Sequence, residues 1–393
     1  MKTMRIELIA LLIVCLLPLA ALAEEYPFLL TAGGSFAYCR DDQGTLLVYG
    51  DNQFGQLGKG GKAQSKKPAV FKSKNAEIDV SEIQDIYAGC DYSFFLMKDG
   101  SIYGVGNNAY NPLLAGFNRS RIVTHVRIPL EDRTIVKMAC GFGQVLALNE
   151  AGEVWAWGRN SDGQVGNGST KRITAPQKLN LTGIVDIAAG GKFSLALDKD
   201  GVLWGWGKNE SHQLSNGKEK YFTTPIKVDI GDIRPAFIDA GGETVSVVDT
   251  EGRLWMWGRN DVQQIGIDTN KQPVLEPRLF EELPAPVVFM DSYNSQTYVI
   301  LSDGSLWGWG NNRSGQLGLG KKTVGSPVSM IWPSDVIYVT SFDVSMNCVL
   351  KDGTVLACGS NKFGQFGNGK VTDFHMPQIQ ENGMKLFRAE TAE

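Results

Sequence analysis

Seven times along the chain a Gly-centred turn is followed six residues later by a second glycine that usually closes a Trp-Gly pair. The turn glycines are Gly44, Gly100, Gly152, Gly201, Gly252, Gly304 and Gly353, and their partners are Gly50, Gly106, Gly158, Gly207, Gly258, Gly310 and Gly359. The repeat is roughly 51 residues long, and self-similarity at that period means a propeller or a solenoid, because one unit cannot bury its apolar faces without stacking on copies of itself.

The fourth repeat serves as the template. It reads as four strands, Ile184–Ala189, Phe193–Asp198, 202–207 and 225–228. The segment Phe193-Ser194-Leu195-Ala196-Leu197 alternates with the period of a half-buried strand. Lys199-Asp200-Gly201 is a hairpin turn, as are Asp99-Gly100, Asp303-Gly304 and Asp352-Gly353. Leu203-Trp204-Gly205-Trp206-Gly207 then places large aromatics where neighbouring sheets meet. A second turn follows, in its fullest form Asn311-Asn312-Arg313-Ser314-Gly315-Gln316-Leu317-Gly318, built from residues that tolerate left-handed backbone. Prolines recur after it at Pro68, Pro176, Pro225, Pro277, Pro327 and Pro377, where a missing donor suits the start of an outer edge strand. Four strands ending at an exposed edge predict an all-β, seven-bladed β-propeller of four-stranded antiparallel blades.

These residues resemble the regulator of chromosome condensation repeats, whose signature runs Ala-Gly, an alternating strand, a Gly turn, Trp-Gly-x-Asn and Gly-Gln-Leu-Gly. The resemblance covers nearly all of the chain beyond its first residues. It implies a seven-bladed ring that works through protein contacts. It also brings to mind guanine-nucleotide exchange on the small GTPase Ran, the activity of the founding member, and secreted inhibitors that cap a β-lactamase with aromatic loops. Repeat 2 departs with Asn108-Ala109-Tyr110-Asn111-Pro112 and repeat 4 with Ser211-His212-Gln213-Leu214-Ser215, which predicts two corners of different shape. Both chain ends offer a strand for blade 1, residues 28–30 and residues 383–389, the latter aligned with 183–189; the terminal strand is expected to latch the ring.

Residues 1–23 read as a cleaved secretory signal, with Lys2 and Arg5 before an apolar run, 8–22, that ends in Ala21-Leu22-Ala23. Residues 24–393 then form a single propeller domain, secreted or periplasmic, with no membrane insertion of the mature chain and a monomeric state expected. The net charge of −4 becomes one unit more negative once Lys2, Arg5 and Glu7 are set aside. That balance argues against a nucleic-acid partner, and no Lys/Arg cluster stands out as an address or an anionic-membrane patch.

Five cysteines follow the leader. Cys39 and Cys348 match Ala196 of the template in repeats that become neighbours when the ring closes; Cys90 and Cys140 lie in adjacent blades. Either pair permits a disulfide in an oxidising compartment, while free thiols in small-residue slots are favoured. Cys358 replaces a seam tryptophan. His125, His212 and His375 are scattered, no Cys-x-x-Cys occurs, and the Asp-rich turns lack the other ligands of a calcium loop. No cofactor, metal or catalytic constellation is legible.

A partner is therefore expected where the repeats disagree, in the turns after the first strands. There Phe36, Tyr92, Phe142, Phe193, Tyr293 and Phe342, with Asp91, Lys192, Glu243 and Asp343, have the composition of a binding rim at one mouth of the channel. The leading reading is a secreted, non-enzymatic propeller that binds a protein through that rim. A glycan-binding propeller, a propeller lyase or hydrolase and an exchange factor are the alternatives; carboxylates or histidines clustered at the channel mouth would favour an enzyme.

Overall fold

The computed structural model describes residues 30–379 and Leu386, apart from 117, 215, 216, 218, 321–323 and 331–334. The leader and residues 28–29 lie outside the described residues. Seven four-stranded antiparallel sheets form the ring. In blade 4 the strands are Ile184–Ala189, Phe193–Asp198, Leu203–Lys208 and Tyr221–Lys227. The innermost strands of the other blades are Leu30–Ala32, Ile83–Ala88, Ile135–Cys140, Pro235–Ala240, Val287–Tyr293 and Val336–Phe342. They touch in ring order, and Val336–Phe342 closes on Leu30–Ala32. Among the described residues no helix is long and apolar enough to cross a membrane.

The hairpins form for local reasons. Asp198 Oδ1 accepts the N–H groups of Asp200 at 3.0 Å and Val202 at 2.9 Å, and Gly201 takes φ +83°. Asp198 thus closes an Asx turn. Gly207 has φ +94° because the turn after the innermost strand presses on it: a Cβ there would stand 2.6 Å from Lys192 O.

The second turn is organised by its asparagine. Asn160 Oδ1 accepts Val165 N–H at 3.0 Å, and its amide donates to the carbonyls of Ser169 and Lys171. Asn52, Asn108, Asn209, Asn260, Asn312 and Asn361 each accept the N–H five residues on in the same way. The two departing corners keep this knot. Asn111 at φ 60° and His212 at φ 58° adopt the left-handed backbone that Gly55 and Gly163 use elsewhere. The asparagine turn itself keeps one path, and the two corners differ in the strand that follows: in blades 2 and 4 the outer strand starts a residue earlier, Arg121 pairing with Asn107 and Tyr221 with Lys208.

The prolines are also placed differently from expectation. Pro225 lies inside Tyr221–Lys227, where pairing jumps from Gly205↔Ile226 to Gly207↔Phe222. The same jump brackets Pro68, Pro277, Pro327 and Pro377. Each sits in a bulge, where its missing N–H breaks no ladder bond. Only Pro176 precedes its strand, Gln177–Lys178.

Blades are joined through the second tryptophan of each Trp-x-Trp. Trp206 Nε1 donates to Gln164 O of the preceding blade at 2.9 Å, Trp257 to Gln213 O at 2.9 Å and Trp309 to Gln264 O at 3.1 Å. Trp157 reaches Pro112 O at 2.7 Å, and Cys358 Sγ reaches Gln316 O at 3.0 Å. All four of these indoles are fully buried. The first tryptophan faces the other way; Trp204 is half-buried and donates to Asp198 Oδ2. None of the five described cysteines forms a disulfide.

Both termini share the innermost slot of blade 1. Leu30–Ala32 pairs with Phe36–Arg40, and buried Leu386 donates its N–H to Gly353 O at 3.1 Å. That is the bond Ile184 makes to Gly152 O and Val287 to Gly252 O. The expected alignment would put Met384 there, so Leu386 sits two residues beyond it. The rest of the expected latch, 383–385 and 387–389, lies outside the described residues. Leu386 packs with Leu30, Cys39, Tyr49, Val349 and Val355. Leu386→Ala should therefore cost about 2–4 kcal/mol, read as a lower urea midpoint; an unchanged midpoint would mean that Leu30–Ala32 alone closes the ring.

Candidate functional site

The turns after the innermost strands and the asparagine turns lie on one face, since Lys208 N–H donates to Lys192 O at 2.9 Å and Asn107 N–H to Asp91 O at 2.8 Å. The ten residues expected to line this face separate into three groups. Phe36, Tyr92, Phe193 and Phe342 are buried, and the rim assignment is corrected for these four. Each of the first three begins the second strand and folds its ring over the turn glycine: a Cβ at Gly33, Gly89 or Gly190 would stand within 2.1–2.3 Å of Phe36, Tyr92 or Phe193. These glycines are the space that the rings fill. Tyr92 Oη then donates to Gly141 O of blade 3 at 2.9 Å, so this ring is a clamp between turns. The signal was present in the chain: Gly three residues before an aromatic in repeats 1, 2 and 4, and no aromatic at that place in repeats 6 and 7, where the glycine is Tyr293 or Phe342.

Phe142 and Tyr293 form the second group and meet at the channel mouth. Tyr293 reaches across from blade 6, its hydroxyl 2.9 Å from Cys90 Sγ of blade 2 and its ring centroid 6.1 Å from that of Phe142 of blade 3. Burial, with the nearby carboxylates of Asp91 and Asp343, pushes the Cys90 thiol up to about 11. The charged residues are the third group. Lys192 lies 3.9 Å from Asp162, and Glu243 accepts from Lys208 at 2.7 Å and from Ser211 at 2.6 Å. Burial works against Glu243, yet Lys208 and Ser211 hold its carboxyl below the usual range. Asp91 is half-buried and raised by burial, with Asp51 and Asp343 repelling it, and Asp343 is exposed.

Two features of this face escaped the sequence reading. The residue two places after each knot asparagine points outward, and it is Phe363, Phe54 and Tyr110 in blades 7, 1 and 2. Blades 3 to 6 have Asp162, Ser211, Val262 and Ser314 there. Arg121 lies 5.5 Å over the Phe54 ring and Arg159 4.4 Å over that of Tyr110, which is 50% exposed. The second feature is charge. Residues 52–76 contain Lys59, Lys62, Lys66, Lys67, Lys72 and Lys74 and no carboxylate, so the expectation of no basic cluster is corrected. Ring closure adds blade 7, whose Gly369 N–H donates to Lys66 O at 2.8 Å.

Inside the ring a cavity of about 270 Å³ is lined by the innermost strands. Asp239 and Asp291 line it, and with Asp186 and Asp85 they make four carboxylates on the innermost strands, three of which staple the next blade. Asp186 accepts Ile238 N–H at 3.3 Å, Asp239 accepts Ser292 N–H at 2.8 Å and Asp291 accepts Ser341 N–H at 2.7 Å together with the Ser341 hydroxyl. Lys137 pairs with Asp186. The fourth, Asp85, accepts its neighbour Ile86 N–H at 2.7 Å. These bonds satisfy donors on strand edges that face the channel. Among the described residues no group of three His, Cys, Asp or Glu side chains could hold a metal ion.

Burial raises the Asp239 carboxyl to about 6, and burial with the charge of Asp239 raises Asp291 to about 7. A carboxyl raised on folding stabilises the fold below its unfolded pKa of about 4, and that stability is lost as pH rises through the folded value. The melting temperature should therefore fall between about pH 4 and pH 7. Asp291→Asn keeps an acceptor for Ser341 without the charge. It should flatten that fall and melt above the wild type at pH 8; a variant with the wild-type slope would place the titration elsewhere.

A family model of the RCC1-like domain matches residues 19–341. The human X-linked retinitis pigmentosa GTPase regulator is 32% identical over 302 residues, which are 76% of this chain and 29% of that protein. The ultraviolet-B receptor UVR8 of Arabidopsis thaliana is 33% identical over 128 residues, 32% of this chain and 28% of the receptor. The chain thus spans less than a third of the length of these relatives. Among solved structures, Prp20p of Saccharomyces cerevisiae superposes with a TM-score of 0.76 at 20% identity, covering 92% of this chain and 89% of its own. Human WBSCR16 gives 0.70 at 23% identity, covering 79% and 84%. With seven asparagine-knotted blades and a family match over most of its length, the chain belongs to the RCC1-like domain family.

Proposed function

We propose that this chain is an exported, non-catalytic propeller that docks a protein through the face carrying the asparagine turns. The observation that supports it best is the arc of Phe363, Phe54 and Tyr110 on three consecutive blades. The other blades carry short or charged residues at that position, or Val262. Half-exposed aromatics with arginine beside them and ion pairs further round the ring match the make-up of protein interfaces. Relatives agree in kind: Prp20p is described through its binding to Gsp1p and histones, and through a complex with Kap60.

The channel carboxylates argue for scaffold, because three of them accept backbone N–H groups of the neighbouring blade and Tyr293 crosses the mouth above them. A hydrolase or lyase needs a reacting group open to substrate. Nucleotide exchange draws support only from the relatives; the near-uniform repeat offers no inserted wedge.

Phe54→Ala with Phe363→Ala tests the face, since both rings are half-exposed, whereas Phe193→Ala would empty a blade seam. Affinity capture from the extracytoplasmic fraction of the native cell should recover a partner with the wild type and lose it with the double variant at an unchanged melting temperature. Equal capture by both would overturn the reading. Export itself predicts a mature protein beginning at Glu24, which N-terminal sequencing of the exported protein checks; a retained leader would refute it.

A further inference from the structure

The repeat supplies an internal control for what a cation on the turn face requires. Arg159, Lys208 and Arg259 occupy one repeat position in blades 3, 4 and 5, each just after the Trp-Gly glycine. Two of the three are neutralised by a carboxylate two residues on: Lys208 by Glu210 at 3.0 Å, with Glu243 at 2.7 Å, and Arg259 by Asp261 at 2.7 Å. Arg159 has Ser161 at that place, whose hydroxyl lies 3.3 Å from Nε, and its guanidinium is held over Tyr110. The same imbalance continues round the ring. Arg121 lies over Phe54, and Lys66 and Lys67 run beneath the turn that follows Phe363. Among the described residues none of these four cations has a carboxylate within ion-pair distance, although Lys98, Lys178 and Arg253 elsewhere do.

We propose that blades 7, 1, 2 and 3 present a cationic and aromatic arc that docks an acidic, extended segment of the partner protein. The segment's carboxylates take the places that Glu210 and Asp261 fill in blades 4 and 5, and its apolar side chains lie on Phe54 and Phe363. This rests on the reading of the turn face as the docking face and specifies the partner's chemistry. A guanidinium over a ring still has N–H donors to offer, and its planar fork can grip a carboxylate in two places. A narrow segment fits better than a broad polyanion such as a bilayer or duplex DNA. Asp91 and the exposed Asp343 stand just inside the arc, the charge of Asp343 bearing on Asp91, so a wide anionic surface laid on this face would meet them. The chain as a whole is also negative, at −4, which works against long-range attraction to such surfaces.

The test uses a fluorescein-labelled peptide of alternating Glu and Phe, its Gln and Phe counterpart, vesicles of phosphatidylglycerol and a short DNA duplex, each titrated with the full mature chain. The acidic peptide should bind, weaken as salt is raised, and exceed the neutral peptide by about tenfold or more. Arg121→Glu with Arg159→Glu and Lys66→Glu should weaken it by about tenfold or more, while Lys98→Glu, at a hairpin on the opposite face, leaves it unchanged. Matching melting curves would show that the triple variant is folded. Equal binding by the triple variant, equal binding of both peptides, or tighter binding of vesicles or duplex than of the acidic peptide would each overturn the proposal. If the acidic peptide fails while Phe54→Ala with Phe363→Ala still abolishes partner capture, the acidic segment is wrong and the docking face stands; if capture also survives, both fall.

Discussion

The ring depends on one contact made at successive seams: a buried indole N–H that reaches a backbone carbonyl of the preceding blade's asparagine turn. Trp206 on Gln164 shows the logic. The indole supplies large apolar area to the seam, and its one polar atom needs an acceptor there. The carbonyl is in place because Asn160 ties its turn with a side-chain amide. Where the chain writes Cys358 instead of tryptophan, the thiol reaches the same carbonyl position, so the seam's geometry outlasts a change of residue.

Stiff seams explain how the rest of the surface is free to vary. With the path set by asparagine, Asn111 and His212 can replace glycine and still hold left-handed backbone. The residue two places after that asparagine is free of the knot, so it can be phenylalanine, tyrosine, serine or aspartate without disturbing the blade. The positions that the repeat leaves unspecified are therefore the ones free to carry the proposed docking face. The channel follows a different rule: its strand edges carry unpaired donors, and carboxylates of one blade close them on the next. Burial then holds Asp239 and Asp291 above ordinary carboxyl behaviour, and the charge of Asp239 adds to the rise at Asp291.

Much of the scaffold was legible. The hairpin Asp-Gly pairs, the alternating Phe193–Asp198 strand and the seven turn-to-glycine steps, four of which close on Trp-Gly, gave blade number, strand order and fold class, because each is a short-range consequence of backbone geometry. The candidate face was only half legible. Aligning the repeats directed attention to the turns, and Phe142, Tyr293, Asp91, Lys192, Glu243 and Asp343 do lie there at least partly exposed. Phe36, Tyr92, Phe193 and Phe342 went inward, because a ring beside a glycine turn can fill the missing Cβ space as readily as face water. Composition also hid the lysine run at 59–74, since acidic residues elsewhere balance it and net charge has no position.

What the sequence determined by itself was periodic: seven units, four strands each, turns at fixed places, and a core made where units meet. Those properties follow from residues within a few positions of one another. Tertiary structure decided everything that joins distant repeats. Leu386 fills the start of a slot that Leu30–Ala32 completes, Tyr293 crosses the mouth to Cys90, and blade 7 comes to lie against the lysines of blade 1. Ring closure alone makes neighbours of residues more than three hundred positions apart, and no local rule of turn or strand carries information about which side chains then share a face.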